Sequence, residues 1–307
     1  MPTIRLCTPD DVNAVVDAVA RDQRRASQAN AFIDARLDRD DLAASYRDRR
    51  APTWIALEGA RLVGHLTATT LARPSGAVSA WVSPDAVSFD DVATLGSLYA
   101  LAGEHWLAEG VEDHEVWAYD RPDVRDPWFE LGFAQRFRRG SLELARRGSP
   151  RWPAGYRLRP GSIADLELAT HFSELLDAEE ALGPSFARIE PPDRAELVET
   201  LEDPDTIYGV VEHGGSPIAQ AIAFPLLPVR GSHDRTMHLS AVVVDPSHRG
   251  RGVATAMLDE LAAWARSQGF DYADVTWRTA NLAAASFWHA YGVTPTYVRL
   301  QRRARID

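Results

Sequence analysis

The chain has 307 residues, a net charge of −11 and one cysteine. That length fits two domains of ordinary size, the acidic balance argues against nucleic acid as a partner, and a lone cysteine excludes an internal disulfide and a cysteine-rich zinc site. No apolar run approaches the ~20 residues of a membrane span, and the opening MPTIRLCTPDDVNAVV lacks the charged start and apolar core of a signal peptide, so a cytoplasmic protein with no membrane partner is expected.

Taken in order, IRLCTPDDVNAVVDAVA reads as a strand and a helix, with Thr8 as N-cap and Asp11 three residues later. Residues 20–50 are polar and helical. TWIALEGARLVGHLTATTL gives two β-rich runs turning at Glu58-Gly59. AVSAWVSP is a strand ended by Pro84, residues 89–109 are helical up to Gly110, and HEVWAYD is a strand. PWFELGF is a short helix ending at Gly132, and RFRRGSLELARR closes the unit with strand-like residues. RRGSPRWPAG, residues 146–155, is the best linker in the chain.

The order then repeats. YRLRPGSIADLELA echoes the opening, with Ser162 and Asp165 in the capping roles, and an acidic helical region runs from about Leu168 to Asp203. TIYGVVEHGGSPIAQAIAF is a second hairpin turning at Gly214-Gly215, and HLSAVVVDP answers AVSAWVSP. Residues 253–268 form a helix with Met257, Leu258, Leu261 and Ala265 on one face. DYADVTW is a strand, NLAAASFWHAYG a helix ending at Gly292, and TYVRLQRR a final strand.

The second copy is organised around HLSAVVVDPSHRGRGVA, residues 238–254. A buried strand ends at Asp245-Pro246, and Arg249-Gly250-Arg251-Gly252-Val253-Ala254 leads directly into a helix. A strand, a glycine turn and a helix N-terminus make an anion site, because free N–H groups and the helix dipole point outward and glycines let a phosphate approach. Arg249 and Arg251 add positive charge. Read by itself, the run also suits an arginine-rich surface turn before a core helix.

Arg-x-x-Gly-x-Ala at 249–254 resembles the pyrophosphate loop of the GCN5-related N-acetyltransferase (GNAT) family. The family's Asn-x-x-Ala-x-x-Phe-Tyr signature, with a later Gly, is matched by Asn281, Ala284, Phe287 and Gly292, while Trp288 stands at the Tyr position. Ala284, Phe287 and Tyr291 equally suit an ordinary amphipathic helix. The resemblance implies an α/β (α+β) fold of two tandem GNAT-like domains, each a mixed central sheet flanked by helices. Residues 1–147 would form a degenerate domain without the loop: Asp85-Ala86-Val87-Ser88-Phe89-Asp90-Asp91 follows the matching strand, and Arg121 takes the place of Asn281. Residues 155–307 would form the catalytic domain.

It further implies acetyl-CoA as cosubstrate and a small-molecule primary amine as acceptor, joined by direct attack, a mechanism that implies no metal. The amides of Gly250, Arg251, Gly252, Val253, Ala254 and Thr255 would hold the diphosphate. The Val242, Val243 and Val244 backbone would pair with the pantetheine arm, and Asn281, Ala284, Phe287 and Trp288 would lie along the cofactor. His238 is the first candidate for the base, and a polar residue at a strand end is the other reading of it. Indole is not a proton donor of the usual kind; Tyr291, one turn on, is the candidate acid, although its spacing fits a core residue better, and departure of the thiolate to solvent is the other reading. His248 reads as a turn residue. A non-catalytic acyl-CoA-binding or protein-interaction module is the alternative of a different class, a mycothiol synthase-like enzyme is a minor branch, and a homodimer is left open.

Overall fold

A computed structural model describes residues 2–72, 78–187, 194–226 and 230–304. The chain forms two compact units. One comprises Met1–Arg138, Arg230–Ser232 and Pro295–Asp307, and the other Arg139–Val229 and His233–Thr294.

The first unit begins with β1 (Thr3–Leu6), α1 (Val12–Ala29) and α2 (Arg39–Asp48). β2 (Trp54–Glu58), β3 (Arg61–Leu66), β4 (Thr69–Ala72), β5 (Val78–Val82) and β6 (Val87–Phe89) follow. Then come α3 (Val92–Ala108), β7 (Asp113–Tyr119), α4 (Pro122–Glu130) and β8 (Ala134–Glu143), whose residues from Arg139 on belong to the second unit. The Thr8 cap is present: the Asp11 carboxylate accepts the Thr8 N–H at 2.8 Å and is held well below the usual carboxylate range, chiefly by Arg5. The strands run β1-β2-β3-β6 in one sheet, and β4, β5 and β7 are neighbours in another. β5 and β7 are parallel from Ser79↔Asp113 to Val82↔Val116.

The second unit holds β9 (Tyr156–Pro160), α5 (Leu166–Ala181), α6 (Arg194–Glu202), β10 (Ile207–His213), β11 (Ser216–Pro225) and β12 (Thr236–Val244). α7 (Val253–Ser267), β13 (Tyr272–Arg278) and α8 (Leu282–Tyr291) complete it. Its strand order is β8-β13-β12-β11-β10-β9. One face buries Met237 and Leu239 of β12 against Met257, Leu258 and Leu261 of α7 and Trp288 and Tyr291 of α8. Each such side chain contributes roughly 1.5–3 kcal/mol through area removed from water. The other face packs Tyr208, Val210 and Ile222 against Ala169 of α5.

The last strand, β14 (Thr294–Arg303), pairs antiparallel with β7, from Tyr297↔Tyr119 to Arg303↔Asp113. Val298 and Leu300 lie in the first unit's core beside Leu95, Trp106 and Trp128. The consecutive blocks 1–147 and 155–307 therefore differ from the units at the strands that close them, because a strand's neighbours are set by lateral pairing and not by chain order. The acidic helical region holds α5 and α6. α5 ends at Ala181, where Leu182-Gly183-Pro184 follows, and Pro cannot continue the ladder; part of that region, residues 188–193, lies outside the described residues.

Candidate active site

β12 and β13 run parallel from Thr236↔Tyr272 to Leu239↔Val275, and the pairing stops there. Past Leu239 the two strands part, leaving the β12 edge from Ser240 to Val244 without a strand neighbour on the β13 side. A bulge sits at the same point: Ser240 opposes Ile222 and Val243 opposes Gln220, so three steps on β12 match two on β11. Ala241 takes φ 45° to make it, a left-handed conformation uncommon outside glycine. A crevice at the carboxyl ends of parallel strands is a ligand position in open α/β sheets.

That crevice is a cleft of about 460 Å³. It is lined by Val242, Val243 and Val244 of β12, by the turn and first residues of α7, and by Asn281, Ala284, Phe287 and Trp288 of α8. Gly250 and Gly252 have φ of 72° and 83°, and a Cβ on either would meet nothing within 4 Å. Glycine is thus required by backbone conformation and not by crowding. Gly252 is the N-cap of α7 and supplies no side chain to the helix, so the first amides of α7 keep their donors for a ligand.

Most of the residues expected along the cofactor come together in this cleft: Gly250, Gly252, Val253, Ala254 and Thr255 line it, together with Arg249. Arg251 does not; its guanidinium turns back to the Ser247 carbonyl at 3.2 Å. Arg249 lines the cleft with its charge already engaged, donating Nε to the Val244 carbonyl at 2.9 Å and pairing with Glu179 of α5. Asn281 caps α8 by accepting the Ala284 N–H at 3.0 Å. His248 also lines the cleft and shares a 2.9 Å hydrogen bond with the Tyr156 hydroxyl.

Tyr291 is placed elsewhere. It is buried, outside the cleft lining, and donates to Asp259 at 3.1 Å with the Arg147 guanidinium 3.8 Å from its ring centroid. Burial pushes its phenol well above the ordinary value. Spacing along a helix gives its distance from Trp288 but not the distant groups, Asp259 and Arg147, that meet it in the core.

His238 lies on β12 before the bulge, outside the cleft lining, with its side chain 19% exposed. Its Nδ1 is 2.5 Å from Asp274 Oδ1 on β13, and the second Asp274 oxygen takes the Arg139 guanidinium of β8. Asp274 and Arg139 are buried. The Phe224 ring lies 5.2 Å from the imidazole. Sequence reading did not single out Asp274, Arg139 or Glu179. The one available signal was a carboxylate in the middle of the apolar strand DYADVTW.

The first unit has its own crevice of about 110 Å³, lined by Val87–Asp90, Trp117–Tyr119 and Asp22 among others. There the helix that corresponds to α7 is closed at its N-terminus: the Asp91 carboxylate accepts the Thr94 N–H at 2.7 Å. Asp22 is pushed up to about 6, chiefly by burial.

The sequence model of the acetyltransferase (GNAT) family matches residues 172–293, a segment that contains every residue lining the larger cleft. Over that segment the chain matches the GNAT acetyltransferase family. Among solved structures, the GCN5-related N-acetyltransferase from Sphaerobacter thermophilus is similar at 16% identity and TM-score 0.62, covering 100% of this chain and 97% of that one. A tandem GNAT protein from the clavulanic acid biosynthesis pathway is similar at 17% identity and TM-score 0.55, with 100% of both chains covered. These likenesses show the tandem GNAT fold over the whole chain. No curated protein matches. Among the described residues no group of three or more His, Cys, Asp or Glu could hold a metal, and no helix is long and apolar enough to cross a membrane.

Proposed function

We propose that the protein is an acetyl-CoA-dependent N-acetyltransferase, that the second unit carries the reaction, and that its acceptor is a small primary amine. The observation that carries the reading is the cleft between the parted strands, floored by the uncapped N-terminus of α7. Its open amides and glycine turn suit a diphosphate, and the free β12 edge suits the amide groups of a pantetheine arm. The first unit serves as a supporting domain, because Asp91 fills the corresponding anion position with its own carboxylate.

The acceptor nitrogen attacks the thioester carbonyl carbon; the C–N bond forms as the C–S bond breaks. His238 takes the proton released by the nitrogen, directly or through one water. It stands two residues from Ser240, ~7 Å along a strand, which leaves room for that path. The departing thiolate takes a proton from solvent or from the imidazolium. Amides at the bulge are suited to polarise the carbonyl oxygen. Tyr291 has no part in this scheme.

Calorimetric titration of acetyl-CoA into wild type and Gly252→Asp tests the reading. One site per chain is expected, lost in the variant because a carboxylate enters the anion position and a left-handed φ costs about 1–2 kcal/mol; Gly252→Ala, which carries the strain alone, should weaken binding by less. Absence of binding to wild type would end the proposal. A non-catalytic acyl-CoA-binding role is favoured by one observation, the lack of any tyrosine among the described residues that line the cleft. Binding without acetyl transfer to any of a panel of primary amines, followed by mass spectrometry, would decide for it.

A further inference from the structure

The most unusual polar feature of the second unit lies outside the cleft. Two charged side chains, Asp274 and Arg139, are buried in the sheet with 1% and 4% exposure, and the imidazole of His238 completes the row. Burying an ion pair costs several kcal/mol per ion in desolvation and is a poor route to stability. A pair retained there beside a partly exposed histidine has a use that packing does not supply.

We infer that Asp274 and Arg139 are positioning residues that fix the tautomer of His238, with the proton on Nδ1 and the lone pair on Nε2 facing the acceptor. This rests on the proposed role of His238 as base. A carboxylate can only accept, so the nitrogen 2.5 Å from it carries the proton. Nε2 has no protein partner among the described residues. Arg139 holds the second oxygen, which fixes the plane of the carboxylate and so the direction of the imidazole. The residues come from three adjacent strands, β8, β13 and β12, so the sheet itself sets their spacing. The same logic of a base oriented by a third group recurs among nucleophile-activating sites on unrelated folds.

The arrangement makes a sharp test possible. Arg139 can only donate, so in Asp274→Asn it claims the amide oxygen and leaves the amide NH2 facing His238. The imidazole must then accept at Nδ1, and its proton moves to Nε2, where it blocks the base. Nitrogen NMR of protein labelled at histidine, with the His238 signals assigned by His238→Gln, reads this directly and needs no acceptor. Wild type should show the Nδ1–H tautomer. Asp274→Asn should show Nε2–H. Adding Arg139→Met to Asp274→Asn should relax this bias toward Nε2–H, since the group that orders the amide is gone; if the double variant does not fold, the nearly isosteric Asp274→Asn carries the test. The same tautomer in wild type and Asp274→Asn would overturn the inference. Where an acceptor is found, kcat should fall at least 100-fold in Asp274→Asn with little change in KM for acetyl-CoA. The expected NMR pattern without any acetyl transfer would instead count against the enzymatic reading and leave the positioning intact.

Discussion

At the scale of single residues, the site divides into positions whose identity is dictated by backbone and positions dictated by a partner. Gly250 and Gly252 belong to the first kind, since their left-handed φ is needed to turn from β12 into α7. Tyr291 belongs to the second. Its hydroxyl serves Asp259 and its ring serves Arg147, so it is a core residue with a polar tip. Tyr291→Phe is expected to keep acetyl-CoA affinity and turnover within about twofold while losing about 1 kcal/mol of stability in denaturant titration. A large loss of kcat with unchanged stability would return it to the chemistry. Arg249 shows why a motif does not specify a contact: the residue type was legible, but its pairing with Glu179, seventy positions upstream, was not.

Individual elements carry the contrast between the two units. α7 begins at an uncapped glycine, α3 at a carboxylate that satisfies its own helix. Asp91→Ala should therefore destabilise the first unit by about 1 kcal/mol, as loss of an N-cap does. It should create no second acetyl-CoA site, because the neighbouring Asp90 still faces the crevice and the turn keeps no glycine; two sites in calorimetry would contradict this. The β3–β6 pair carries a different device. His65, fully buried, is within 2.8 Å of the Tyr46 hydroxyl and 2.7 Å of Ser88 Oγ, and burial lowers it from 6.5 to about 4. The unfolded chain binds a proton as pH falls through 6.5, the folded chain only near 4. The stability due to the neutral imidazole is thus complete above 6.5 and lost progressively down to 4, on the order of 3 kcal/mol in all. Denaturant titrations at the two ends of that window should show a smaller loss in His65→Gln than in wild type.

For the whole molecule, the governing fact is that β14 closes the first unit although it is the last strand in sequence. Leu300, fully buried beside Trp128 and Leu95, should make this visible. Leu300→Ala is expected to cost about 2–5 kcal/mol and to lower hydrogen-exchange protection in β5, α3 and β7 first, with β10 to β12 and acetyl-CoA binding spared. Loss confined to β10–β12 would show that the strand supports the other unit.

The sequence alone determined what is encoded within a few consecutive residues. The Thr8 and Ser162 caps, the hairpins at Gly59 and Gly214-Gly215, the glycine turn before α7 and the repetition of elements all rest on local φ preferences, capping donors and hydrophobic period. Through the family signature it also named most of the cleft lining, since a loop and a helix start are each contiguous. Tertiary structure decided what depends on lateral pairing of distant strands. Asp274 stands beside His238, and Arg139 beside Asp274, only because β12, β13 and β8 are neighbours. Tyr291 leaves the site because Asp259 and Arg147, distant in sequence, meet it in the core, and β14 joins β7 because the order of strands in a sheet is a property of the closed core, and a strand's own residues are compatible with more than one neighbour.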